Sequence, residues 1–134
     1  MNQIDIFVIS GILIRDKKIL VVRSVNEDTF IVPGGRVEEG ESATQTLIRE
    51  IQEECGLTVG SDDLERMDAF LFPAFDTNKT ISSEVFLVKN WQGEPHPGDD
   101  IEELKWVDST TEIKVGNLLK HHLLALLKER NIID

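Results

Sequence analysis

The chain reads as an α/β protein in which a mixed β-sheet carries helices on its faces. Three observations predict this. Apolar segments of strand length come in two groups, and each group is followed by a helical segment. The first helix is marked at both ends by capping residues. The C-terminal segment repeats leucine at helical spacing.

Taken in order, the runs Ile4–Ile14 and Ile19–Val22 flank the polar turn "RDKK" and read as adjacent strands. "FIVPGG" follows, a short strand over Phe30–Val32. Pro33 and Gly34 then suit a type II turn, because Pro33 sets φ and Gly34 accepts a positive one.

Ser42-Ala43-Thr44-Gln45 has the form of a capping box, so a helix is predicted to start there and to stop at Gly56, which suits the left-handed position after a helix. "RMDAFLFPAF" and "ISSEVFLVKNW" read as two further strands, with Pro73 marking an edge, a bulge or a bend. "GEPHPGDD" is a loop and "ELKWV" a short strand. Leu118, Leu119, Leu123, Leu124 and Leu127 then line one face of a closing helix.

Length and composition bound the function. A chain of 134 residues is one domain over 1–134, large enough for a core without disulfide or structural metal. The net charge of −11 opposes a nucleic acid polymer or an anionic membrane. A small anionic ligand would need a cation. The lone cysteine, Cys55, excludes an internal disulfide and suits a reducing compartment. The apolar N-terminal stretch carries Asp5 and lacks a basic lead, so it reads as a strand rather than a signal, and a cytoplasmic location is expected.

The acidic stretch Gly34–Leu57 holds six glutamates. Glu50, Glu53 and Glu54 stand at i, i+3 and i+4, on one helical face, while Leu47, Ile48, Ile51 and Cys55 form another. Like charges at this spacing destabilise a helix by about 0.2–0.5 kcal/mol per pair. Acids in the last turn also face the negative end of the helix dipole. A solvated face would sooner end in lysine. Convergent carboxylates instead form a hard-cation site of the type Mg²⁺ uses beside phosphates, with metal-assisted hydrolysis of a phosphoanhydride as the reaction class.

The order Gly35, five residues, Glu41, seven residues, then Arg49-Glu50-Ile51-Gln52-Glu53-Glu54-Cys55-Gly56-Leu57 resembles the Nudix box at every position. The resemblance extends to "FIVPGG", the opening strands, "ELKWV" and the last helix. It implies the Nudix α/β/α sandwich, with the box as loop-helix-loop, and hydrolysis of a nucleoside diphosphate linked to another moiety X. It implies Mg²⁺, or Mn²⁺ in its place, held by Glu50, Glu53, Glu54 and the carbonyl of Gly35. Glu50, Glu53, Asp99 and Asp100 remain alternatives for the general base, and Arg49 and Glu41 match positions that orient the acidic helix.

Outside the box, Arg23 and Lys79 are candidates for phosphate or base contacts and equally ordinary surface charges. Phe30 is a candidate to stack on a base, or a core residue. Asn117 fits an N-cap, and also resembles the asparagine with which MutT-type members read an oxidised guanine. The first expectation for the substrate is therefore an oxidised purine triphosphate. ADP-ribose, a nucleotide sugar, or nucleotide sensing without hydrolysis stand as alternatives. The expected partner is a small nucleotide, and the chain a monomer or homodimer. His96, His121 and His122 show no metal spacing and are expected at the surface.

Overall fold

The computed structural model describes residues 3–74 and 77–134. Phe75, the last residue of the predicted strand "RMDAFLFPAF", lies outside them.

The described strands form two sheets. One holds β5 (Gly34–Arg36), β1 (Ile6–Ile12), β7 (Thr80–Val88) and β6 (Leu64–Pro73), in that order. It is mixed, with β1 parallel to β7 and the outer pairs antiparallel. The other is antiparallel: β3 (Lys18–Ser24) pairs along its length with β8 (Ile101–Val107), and on its other edge with β2 (Ile14–Arg15) and β4 (Phe30–Ile31).

The two N-terminal runs are neighbours only beside their turn, where Ile14 pairs with Ile19 and Leu20 N donates to Leu13 O at 3.0 Å; β1 and β3 themselves belong to different sheets. The hairpin partner of β3 is the short β2. Asp16 and Lys17 both take positive φ, 53° and 61°, which matches the type I′ turn that suits the twist of a two-residue hairpin.

Strand alternation divides the interior in two. Leu20 and Val22 point to one side with Ile9 and Leu13, where Leu47, Ile51 and Cys55 of α1 (Ala43–Cys55) cover them. Ile19 and Val21 point to the other with Ile12 and Val85, under Leu118, Leu119, Leu123 and Leu127. This is the expected α/β/α layering. The closing helix is not uniform: a π-helical turn, Leu119–Leu123, runs into α2, Leu124–Glu129. Asn117 is already helical, and among the described residues its side chain bonds to Pro73 O, so Asn117 is not the N-cap.

The ends of α1 are as read from sequence. Ser42 Oγ accepts from Gln45 N at 3.2 Å, and Gln45 Oε1 accepts from Ser42 N at 2.8 Å. Gly56 closes the helix at φ 69°. Pro73 ends the edge strand β6, and the bulge in that strand falls between Arg66 and Asp68 instead.

The Pro33-Gly34 step departs from the expected type II turn. Gly34 has φ 154° and continues into β5, pairing with Ser10. A Cβ there would overlap the carbonyl oxygen of Ile9. Gly34→Ala is therefore expected to cost at least about 2 kcal/mol in urea denaturation; a loss under about 0.5 kcal/mol would show that β5 can move away from β1.

Candidate functional site

Helix α1 lies across β5, and its acidic face meets the backbone of Gly34 and Gly35. Glu54 Oε1 accepts from Gly34 N at 2.8 Å. A Cβ on Gly35 would stand 2.6 Å from the carboxyl carbon of Glu50, so the bare glycine is what lets that carboxylate lie against the strand.

Arg49 sits among four acids. Its Nε donates to Glu41 Oε2 at 2.7 Å and its Nη2 to Glu41 Oε1 at 3.0 Å, a bidentate pair. Its Nη1 donates to Glu50 at 2.7 Å and to Glu53 at 3.2 Å, and Nη2 lies 3.6 Å from Glu38. The bond from Arg49 holds the Glu41 carboxyl down at about 2. Burial raises Glu50 above the usual carboxylate range, with the Arg49 bond acting in the opposite direction. Burial pushes Glu54 up to about 8; the Gly34 N–H opposes this, and the charges of Glu50 and Glu53 add to it. Glu53 projects furthest, its side chain 56% exposed against 17% for Glu50.

The helix terminus is held by the loop that follows Glu94. His96 N donates to Cys55 O at 3.0 Å and Gly98 N to Glu54 O at 2.9 Å, satisfying carbonyls that a helix end leaves open. A Cβ on Gly98 would overlap Glu53 O. His96 and Gly98 were not foreseen as part of this region, although a glycine beside two prolines marks a constrained loop. Asp99 and Asp100 come next, in an exposed turn with Asp100 at φ 64°. Among the described residues neither side chain bonds to the α1 carboxylates.

The donors suit a hard divalent cation by their chemistry: three carboxylates and the carbonyl of Gly35 are all oxygen ligands. They are not yet gathered. Among the described residues no three Asp, Glu, His or Cys side chains stand in a metal-holding arrangement, while Arg49 engages both Glu50 and Glu53.

Behind Gly34 and Gly35 lies a cavity of about 220 Å³, walled by Val8, Ser10, Ile31, Phe72, Ile81 and Asn117 among others. It continues past Ile31, Phe72 and Asn117 into a second hollow toward Ser24 and Thr29. The glycine pair is thus a thin wall with carboxylates on one side and an apolar cleft on the other. Asn117 Nδ2 donates to Pro73 O at 2.9 Å, which leaves Oδ1 as an acceptor.

The remaining candidates divide. Phe30 is 5% exposed and belongs to the core under the closing helix; its neighbour Ile31, 44% exposed, lines the cleft instead. Arg23 is committed to Glu27 O at 3.0 Å, to Glu103 at 3.4 Å and to the Phe30 ring at 5.7 Å. Lys79 is exposed just before β7. Cys55 is fully buried, and burial pushes its thiol up to about 12. His96 and His121 are exposed, while His122 is partly covered, its Nε2 2.9 Å from Leu71 O.

An acid whose folded pKa is raised keeps its proton longer in the folded state, so stability is lost as pH rises from the ordinary 4.5 of Glu54 to its folded value of about 8. The metal-free protein should lose about 4 °C or more in Tm across that window, and Glu54→Gln should flatten the slope. Equal slopes in the two proteins would place the Glu54 carboxyl in water.

Comparison with known proteins shows the family and the fold. The NUDIX domain family model matches residues 7–124. An ADP-ribose pyrophosphatase of Methanocaldococcus jannaschii is 34% identical over 75% of this chain and 60% of its own length. An 8-oxo-dGTP diphosphatase of Escherichia coli is 32% identical over 56% of this chain and 66% of its own length. The chain thus spans under two thirds of either relative. A MutT NUDIX hydrolase from Burkholderia pseudomallei shares the fold, with TM-score 0.73, 21% identity, and coverage of 86% of this chain and 92% of that one. No helix among the described residues is long and apolar enough to cross a membrane. With its family model matched from β1 into α2 and its carboxylates grouped on α1, this chain belongs to the Nudix family.

Proposed function

We propose that the protein is a Mg²⁺-dependent pyrophosphohydrolase, with Mn²⁺ as a substitute, that cleaves a phosphoanhydride bond in a nucleoside diphosphate linked to X. The observation that carries this reading is the meeting of two α1 carboxylates, Glu54 and Glu50, with the backbone of Gly34 and Gly35, which also line a cleft, while Glu53 stands on the same helix face. Glu50, Glu53, Glu54 and the Gly35 carbonyl would hold the cation. Bound there, it supplies charge neutralisation to phosphate oxygens and lowers the pKa of water.

The chain's own residues divide the remaining work. Glu54, bonded to Gly34 N, ties α1 to β5. Arg49 bonds Glu50 and Glu53, which a cation would have to share with it, and through its bidentate pair with Glu41 keeps the helix face aligned with the loop before it. Glu53 is the most exposed of the three and the best placed to take the proton of the attacking water, ahead of Glu50, which is more buried and held closer by Arg49, at 2.7 Å against 3.2 Å. Asp99 and Asp100, on the loop pinned to the helix end, are the other carboxylates within the region. The nucleotide's base enters the cleft, where Asn117 offers its Oδ1 as an acceptor.

A nucleoside triphosphate with an oxidised purine is the first reading of the substrate. The Escherichia coli relative's name and the placement of Asn117 in the cleft support it. ADP-ribose is the second, favoured by the name of the archaeal relative, whose match covers more of this chain.

Purified protein given nucleoside triphosphates, 8-oxo-dGTP, ADP-ribose and nucleotide sugars should release phosphate or pyrophosphate, or nucleoside monophosphate from the last two, only when Mg²⁺ or Mn²⁺ is present. Glu53→Gln should lower kcat at least about a hundredfold with Tm unchanged or raised. Full activity in that variant would exclude Glu53, and tight nucleotide binding with no turnover would make the protein a sensor instead.

A further inference from the structure

The floor of the cavity carries a polar feature that neither the fold nor the carboxylates account for. Ser10 on β1 and Ser83 on β7 project from adjacent parallel strands into an otherwise apolar layer, with their hydroxyl oxygens 2.7 Å apart. Both are buried, Ser10 at 5% and Ser83 at 0% exposure. Val8, Ile12, Ile81 and Val85 surround them on the same strand faces. Replacing both hydroxyls by apolar groups of similar shape would be close to neutral for stability, so the fold does not demand the pair.

Two hydroxyls bring two hydrogens, and one bond between them uses one. Among the described residues no other side-chain hydrogen bond involves either serine. If Ser10 donated to Ser83, the second hydrogen would belong to Ser83, which is wholly buried and does not line the cavity. If Ser83 donates to Ser10, the remaining hydrogen is on Ser10, which does line it. The second arrangement avoids a stranded buried donor, whose desolvation is uncompensated. It presents one O–H to the cavity that Asn117 also lines.

We propose that Ser10 is a specificity-determining residue, donating its hydroxyl hydrogen to an acceptor atom of the heterocycle that the cavity receives. The proposal rests on the nucleotide reading above and narrows it. The cavity selects a planar base that carries an acceptor toward Ser10 and a donor toward Asn117, and a sugar phosphate without a base gains nothing from Ser10.

Binding without turnover separates this proposal from the hydrolase reading. Calorimetry would compare guanosine, 8-oxoguanosine and adenosine 5′-monophosphates with ribose 5-phosphate, on the unaltered protein, Ser10→Ala and the double variant Ser10→Ala/Ser83→Ala. The double variant removes both hydroxyls and so keeps the interior free of an unpaired group. The unaltered protein should bind at least one base-bearing phosphate more tightly than ribose 5-phosphate. Both variants should weaken that ligand about tenfold and leave ribose 5-phosphate unchanged. Equal weakening of both ligands, no weakening, or no preference for a base in the unaltered protein would overturn the role of Ser10. Absence of hydrolysis with this binding pattern intact would overturn the hydrolase reading alone.

Discussion

The backbone of Gly34 and Gly35 is the contact on which the arrangement depends. A side chain at Gly34 would push β5 off β1 at Ile9, and one at Gly35 would evict the Glu50 carboxylate. Two residues without side chains therefore let three layers approach: strand β1, the acidic face of α1, and the cleft under the closing helix. The carboxylates and the cavity are close because only backbone separates them.

Around that contact, charge is arranged at a cost to the helix. α1 ends in acids, with no basic residue in its last turn. Dipole and like-charge repulsion both oppose this. The structure offsets the cost in three ways. Arg49 neutralises Glu50 and Glu53 while Glu41 fixes Arg49 from the other side. Glu54 is held near neutral by burial, its pKa about 8. The N–H groups of His96 and Gly98 take up the last helical carbonyls. What remains is a metastable cluster of oxygen donors whose repulsion a divalent cation would relieve, and stability held back in this way is typical of sites built for ligand rather than for fold.

Local signals were legible in the sequence and long-range ones were not. The capping box at Ser42 and the glycine at Gly56 act within one helical turn, so they located α1 at both ends. The i, i+3, i+4 spacing of its acids likewise puts them on one face by helix periodicity alone. Which strands pair was hidden, because β1 and β3 are both apolar runs and nothing local says that they enter different sheets. Pro33-Gly34 carries the residues of a type II turn, yet the positive φ of Gly34 serves a close approach to Ile9, a tertiary demand. Asn117 had the chemistry of a cap, but its amide turns to Pro73 across the cleft. Ser10 gave no signal in the sequence, because its meaning needed Ser83 beside it.

The central claim is that the α1 carboxylates form a cation site. Titration of the protein with Mn²⁺, followed by the EPR signal of the free ion, tests it without reference to any substrate. The account predicts saturable binding that Glu50→Gln/Glu54→Gln abolishes while the circular dichroism spectrum is preserved. Binding of equal strength and stoichiometry in that variant would contradict it.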